Sequence, residues 1–247
     1  MKIKLLGKNL QDIRPLLNEL GFIEADRDFE LVITHGGDGA LLGAEREYPG
    51  IPKLPLRDAA TAEPCPEHSA RARLEKFLAG RPEPARLPKL LGTCRGGELR
   101  GINDVFLHSR LPTSALRYIV SIDGVSYGGE IVGDGVGLST VHGSTAYYRS
   151  ITHSIFRVGV GLAFSNSTEA VDHMVLDSAS TVEILVTRGP GVLVADNTPE
   201  GIPVSEGEAV TMCQTGEFAS IFDLAGFMCP ACRTLRHHRK PAYTKIR

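Results

Sequence analysis

Tryptophan is absent from this 247-residue sequence, and aromatic residues make up only 6% of it. The core must therefore be built from aliphatic side chains. No apolar run approaches the roughly 20 residues of a membrane span, so no membrane partner is expected. An excess of one charge is also missing: Lys plus Arg number 27 and Asp plus Glu 29, a net charge of −2. The isoelectric point is near 6.5. A dedicated nucleic-acid binder would be clearly basic, so that class is excluded, although a local basic pocket for a phosphorylated ligand is not. Cysteine is sparse and odd in number, five in all, which fits reduced thiols. The opening Met-Lys-Ile-Lys-Leu-Leu-Gly turns polar too soon for a signal peptide, and a cytoplasmic location is expected. There is no Gly-x-Ser-x-Gly elbow, no Walker loop and no Gly-x-Gly-x-x-Gly after a strand. Hydrolase and Rossmann dehydrogenase readings thus lack support.

What is present is the balance of a folded protein, 42% hydrophobic and 23% charged, with 27 Gly and 15 Pro as punctuation. Residues 2–6 read as a strand stopped by Gly7. Asn9 is a candidate N-cap for a helix whose apolar positions Ile13, Leu16, Leu17 and Leu20 recur at helical spacing. Pro15 inside that pattern implies a later start or a kink, and Gly21 marks the stop. A strand at 29–34, a helix at 40–47, a strand at 51–56 and a helix at 67–78 follow. This alternation predicts an α/β domain over residues 1–86, a parallel sheet with covering helices.

Beyond the Pro-rich stretch 80–88 the pattern changes. Strand-like runs at 104–108, 115–122, 126–132, 181–187, 192–195, 209–213 and 218–221 are separated by Gly, Asp, Asn and Pro. Asp123-Gly124 is a hairpin signal, and 197–201 and Glu206-Gly207 are turns. The pattern predicts an all-β, sandwich-like domain over residues 87–247.

Three segments bear chemistry. Gly36-Gly37-Asp38-Gly39 lies between a strand and a helix. Its glycines leave backbone N–H groups open to phosphate oxygens near a helix N-terminus. An Asp there would repel phosphate unless it accepts a proton from an attacking hydroxyl or holds a phosphate-bridging metal; Asp-Gly is also a common turn dipeptide. The second segment runs from Asp134 to Tyr147 and includes Val141-His142-Gly143-Ser144-Thr145-Ala146-Tyr147. Ser144 and Thr145 are placed to cap a helix, and Tyr147 offers a base a flat face or fills a core. The third is Asn103-Asp104 within Gly-Ile-Asn-Asp-Val.

Together and in this order, these blocks resemble the NAD kinase family. Its hallmarks are a Gly-Gly-Asp-Gly loop, a later Asn-Glu or Asn-Asp pair, and an Asp-Gly…Gly-Ser-Thr-Ala-Tyr segment. Phosphofructokinase-type sugar kinases and the diacylglycerol and sphingosine kinases have glycine–aspartate turns like the first block alone. The resemblance covers most of residues 30–215 and implies an α/β domain followed by a β-sandwich. It implies transfer of the γ-phosphoryl group of ATP to the 2′-hydroxyl of the adenosine ribose of NAD, with Mg2+ or another divalent metal accompanying ATP. Asp38 would be the general base, and Gly36, Gly37 and Gly39 the phosphate loop. Asn103 and Asp104 match the pair that hydrogen-bonds the dinucleotide. Thr145, Ala146 and Tyr147 match the stretch around adenine, and Ser150 a further NAD contact. Asp134 matches an aspartate at the nicotinamide end, often reached across a subunit interface, which implies a homodimer or homotetramer.

Several positions depart from that pattern. Ala40 stands where the family has Thr, and Val141-His142 replaces Pro-Thr, so His142 would make a different adenine-side contact. After the strand at 51–56, Arg57-Asp58-Ala59-Ala60-Thr61-Ala62 replaces a glycine- and aromatic-containing cleft-wall segment. A non-catalytic dinucleotide sensor, or a kinase for another small-molecule or lipid acceptor, is therefore the alternative. Cys229-Pro230-Ala231-Cys232, followed by His237-His238, has zinc-like composition but no second cysteine pair, and no metal ligand is assigned. The tail from Arg233 to Arg247 is basic, and His35, His68, His108, His153 and His173 show no metal or triad spacing.

Overall fold

In the computed structural model, which describes residues 1–60, 64–80 and 82–232, the N-terminal strand–helix alternation builds a parallel sheet. Its elements are β1 (Lys2–Gly7), α1 (Leu10–Glu19), β2 (Ile23–Glu24), β3 (Leu31–His35), α2 (Asp38–Glu47), β4 (Lys53–Leu56) and α3 (Ala70–Gly80). The strand order is β2-β1-β3-β4. All five residues of β3 are buried, as a strand covered on both faces requires. Ile13 and Leu17 of α1 and Leu74 and Phe77 of α3 form one core with Ile3, Leu5, Leu31, Ile33, Leu54 and Leu56. Leu41, Leu42 and Ala44 of α2 are buried as that helix packs on β1, β3 and β4.

The ends of α1 test two readings. Gly21, at φ +77°, closes it: the Phe22 N–H donates to Leu17 O and the Gly21 N–H to Asn18 O, a Schellman motif. Asn9 does occupy the N-cap position but makes no cap hydrogen bond. It is left-handed at φ 50°, and its amide donates instead to Asp58 Oδ2 at 2.8 Å. Nor does the helix start after Pro15, which lies within it.

The chain divides into two units: residues 87–218, and residues 1–86 with the described residues from Ala219 on. The sequence expectation placed all of 87–247 in the second domain. Residues 219–232 instead join the first, where Phe222 packs edge-on against Phe77 at 4.9 Å and Asp223 pairs with Arg73.

The second unit is a β-sandwich. Its strands are β5 (Ala85–Cys94), β6 (Gly97–Gly101), β7 (Asp104–Ser109), β8 (Leu116–Ile122), β9 (Val125–Gly133), β10 (Gly135–Ser139), β11 (Val160–Ser165), β12 (His173–Leu176), β13 (Thr181–Arg188), β14 (Gly191–Ala195), β15 (Ile202–Val204) and β16 (Ala209–Ile221), the first two residues of β5 and the last three of β16 being counted with the first unit. One antiparallel sheet runs β12-β11-β10-β7-β14-β15; in the other, β16-β13-β8-β9 are joined by β5 and β6. Alternate residues of both sheets meet in one core, among them Val105, Leu107, Tyr118, Val136, Leu162, Ile184 and Val210. Asp123 and Gly124, at φ 51° and 78°, make the β8–β9 turn with both central residues at positive φ. After β16 the chain forms a short helix, α5 (Leu224–Phe227).

Candidate functional site

In the first unit, three loops leave the same end of the parallel strands, where open α/β sheets bind ligands. The loop after β3 holds Gly36 at φ +149°, with Gly37 and Asp38 opening α2. Gly37, Asp38 and Gly39 are exposed at that helix N-terminus, where the helix dipole favours anions. The Asp38 side chain is 60% exposed, and one carboxylate oxygen accepts a hydrogen bond from Arg57 at 3.1 Å. Arg57 itself is buried. Its guanidinium donates to the Phe227 carbonyl and lies 3.7 Å from the Phe227 ring centroid. Beside these loops a cavity of about 430 Å³ is lined by Ile13, Leu16, His35, Arg57, Asp58 and Ala60.

In the second unit, Asn103 and Asp104 sit where β6 turns into β7, and two distant residues hold their backbone. Asp196 accepts the N–H groups of Ile102, Asn103 and Asp104 at 2.9, 2.8 and 3.2 Å, and its own N–H donates to Asp104 O. Thr140 donates its hydroxyl to Ile102 O at 2.7 Å and its N–H to Asn103 O at 2.9 Å. The packing leaves no room for side chains at two glycines. A Cβ on Gly143 would lie 1.9 Å from Asn103 O, and one on Gly101 would lie 2.4 Å from Asp104 O.

The Asp104 carboxylate is the unusual group. It is 8% exposed and has no hydrogen-bond donor among the described residues. Burial, with the charge of Asp196 adding to it, pushes Asp104 up to about 7. Opposite it in the β7–β10 register, Ser139 buries a hydroxyl that also lacks a partner among the described residues. A ligand with hydroxyl or amide donors fits such a surface; a phosphate does not.

The segment 140–150 departs from the capping expectation. Gly143–Thr145 is a 3-10 turn whose N-cap, His142, makes no side-chain cap hydrogen bond; the Gly143 N–H donates instead to the Thr140 hydroxyl at 3.0 Å. Ser144 and Thr145 donate backwards, to Val141 O and His142 O, and α4 (Tyr147–Thr152) has no side-chain cap. Ser150 is exposed, its hydroxyl bound to Tyr147 O at 2.7 Å. Tyr147 is 36% exposed. It meets Phe106 and His108 edge-on at 4.9 and 5.4 Å, and its hydroxyl lies 3.3 Å from that of Ser165. Asp134, exposed between β9 and β10, accepts from the Asn166 amide at 2.8 Å. Asp38 and the glycine loop thus belong to the first unit, and Asn103, Asp104, Asp134 and residues 142–150 to the second.

Sequence reading gave no role to Asp196, Thr140 or Arg57, because their partners lie far away along the chain. Replacing Asp196 by Ala strands three N–H groups. A loss of about 1–3 kcal/mol in unfolding free energy is expected, read from the urea midpoint. Asp104 should then fall back toward the ordinary carboxylate range, measured by NMR titration. His68 has no metal spacing in the sequence, yet its Nδ1 lies 3.3 Å from the Cys65 sulfur and 3.7 Å from that of Cys232. His237, His238 and the basic tail from Arg233 lie outside the described residues.

No family model and no curated protein matches the sequence. Solved structures do match. An NAD kinase from Archaeoglobus fulgidus in complex with ATP superposes with a TM-score of 0.76 over 96% of this chain and 99% of that one, at 17% identity. A yeast NADH kinase complexed with NADH superposes at 0.72 over 100% and 90%, at 14% identity. The α/β unit followed by a β-sandwich is therefore the fold of the NAD kinases.

Proposed function

We propose that this chain is a dinucleotide kinase that transfers the γ-phosphoryl group of ATP to the 2′-hydroxyl of the adenosine ribose of NAD. The observation behind it is Asp104, a buried carboxylate with no donor among the described residues, on a backbone clamped by Asp196 and Thr140. Ribose hydroxyls are the donors such a group lacks. Within the same reading, Asn103, Asp134, Ala146, Tyr147 and Ser150 contact the dinucleotide. Asp38 takes the proton from the attacking hydroxyl, and the exposed Gly37–Gly39 turn at the N-terminus of α2 receives phosphate. A magnesium ion accompanying ATP would neutralise phosphate charge during the transfer, held mostly by phosphate and water oxygens. NADP formation from NAD, ATP and magnesium tests the reading. No product from folded protein would sink it.

A second reading, a dinucleotide sensor without turnover, draws support from Arg57. The Arg57 guanidinium donates to one Asp38 carboxylate oxygen at 3.1 Å, and that oxygen is then engaged rather than open to an attacking hydroxyl. NAD binding without product would favour this reading.

Asp104 gives either reading a pH dependence. Donors on the ligand favour the ionised carboxylate, so NAD binding should strengthen as pH rises through about 7. By calorimetry the gain should approach about tenfold between about pH 6 and about pH 8 and vanish in Asp104→Asn. The stability of the free protein moves the other way. Its folded pKa lies above the unfolded value of about 3.9, so stability falls as pH rises between the two and levels off above the folded value.

A further inference from the structure

We propose that Cys65, His68, Cys229 and Cys232 form a structural zinc site that clasps the segment after β4 to the segment after β16. The four side chains all belong to the first unit, and their ligand atoms lie within 4.8 Å of one another. Each half is a two-residue-spaced pair, Cys65-Pro66-Glu67-His68 in a 3-10 turn before α3 and Cys229-Pro230-Ala231-Cys232 after α5. This is the spacing at which one turn presents two ligands to a single ion.

The distances suit a tetrahedron. Zinc bonds of about 2.3 Å to sulfur and about 2.0–2.1 Å to nitrogen put neighbouring donors about 3.5–3.8 Å apart. Cys65 Sγ lies 3.7 Å from Cys229 Sγ, and His68 Nδ1 lies 3.3 Å from Cys65 Sγ and 3.7 Å from Cys232 Sγ. The Cys65–Cys232 pair is closer, at 2.8 Å, and would spread by about 1 Å around an ion. None of the sulfurs is in a disulfide.

The surroundings are those of a closed structural site. Cys65, Cys229 and Cys232 are 8%, 8% and 2% exposed, and the Cys65 N–H donates to the Cys232 sulfur at 3.2 Å, a hydrogen bond that steadies a metal-bound thiolate. Three sulfurs and an imidazole select zinc over magnesium or calcium, which prefer oxygen. The clasp also has a mechanical consequence. Phe227, whose carbonyl and ring hold Arg57, lies two residues before Cys229, so the ion would anchor the residue on which the Arg57–Asp38 pair leans.

The test is the metal content of the full-length chain, purified under reducing conditions without a metal-affinity tag and analysed by inductively coupled plasma mass spectrometry. A single zinc per chain is expected, falling at least about tenfold in Cys229→Ser and Cys65→Ser but not in the controls Cys94→Ser and Cys213→Ser. Should the site variants fail to fold, cobalt exchange into the wild type decides instead. Strong tetrahedral d–d bands and thiolate charge-transfer absorption are expected, with X-ray absorption fitting three sulfurs and one nitrogen. Wild type without zinc and with no cobalt spectrum would overturn the proposal, as would iron in the place of zinc or a native disulfide among the three cysteines.

Discussion

Asp38→Asn is expected to lower the turnover of NADP formation by about 10²–10⁴-fold while leaving NAD affinity within a few-fold of wild type. Asn keeps the shape of the side chain and its place at the start of α2, but it cannot take the proton of the ribose hydroxyl. The loss should therefore fall on kcat. A comparable rise in KM would place Asp38 in substrate binding instead, and a loss under about threefold would remove it from the chemistry altogether. The setting makes the experiment informative. Asp38 is 60% exposed and Arg57 holds one of its oxygens at 3.1 Å; the substitution removes that ion pair but leaves the buried Arg57 its hydrogen bonds to the Phe227 carbonyl and its place on the Phe227 ring. The urea midpoint of the variant, measured alongside, separates a folding defect from a catalytic one.

Features that are local in the sequence were legible in it. Gly21 was read as a helix stop and is the left-handed residue of a Schellman motif; Asp123-Gly124 was read as a hairpin and has both central residues at positive φ. Each depends only on residues within one turn. Less local features were read less well. Asn9 looks like an N-cap, but a carboxylate 49 residues on, Asp58, takes its amide. Segments 209–213 and 218–221 read as two strands and are one, β16.

The candidate site divides in the same way. Asn103-Asp104 stands out as a motif, but what makes Asp104 unusual is burial and the charge of Asp196, 92 residues away. The four-residue cysteine–histidine cluster was invisible for the same reason. Cys229-x-x-Cys232 has no second cysteine pair in the sequence, because its partners lie 164 residues earlier and one of them is a histidine. Cys65-x-x-His68 is not a pair of cysteines and so carries no such spacing signal.

Arg73→Met should destabilise the protein by about 3–5 kcal/mol, seen as a fall in the urea midpoint at unchanged slope. Arg73 is 2% exposed, and its guanidinium donates to the Asp223 carboxylate at 2.6 Å and to the Asp223 carbonyl at 2.7 Å. Removing it leaves a carboxylate that is itself only 8% exposed with, among the described residues, Lys76 as its remaining cation, at 3.1 Å, from a side chain 65% exposed to water. Burial would raise Asp223, but the hydrogen bonds and charges of Arg73 and Lys76 outweigh it and hold it below the ordinary carboxylate range. This contribution is therefore present at neutral pH and lost as pH falls through the folded value of Asp223. The wild-type midpoint should drop on acidification more steeply than that of the variant, which has already lost most of the interaction. Equal slopes in acid would show that Asp223 is not stabilised by its partners. The same substitution reaches the candidate site by a second route. Asp223 begins the segment that runs through Phe227, the support of Arg57, to Cys229 and Cys232. If that segment is held at one end by Arg73 and at the other by zinc, the variant should still bind the metal but release it to a chelator faster than wild type.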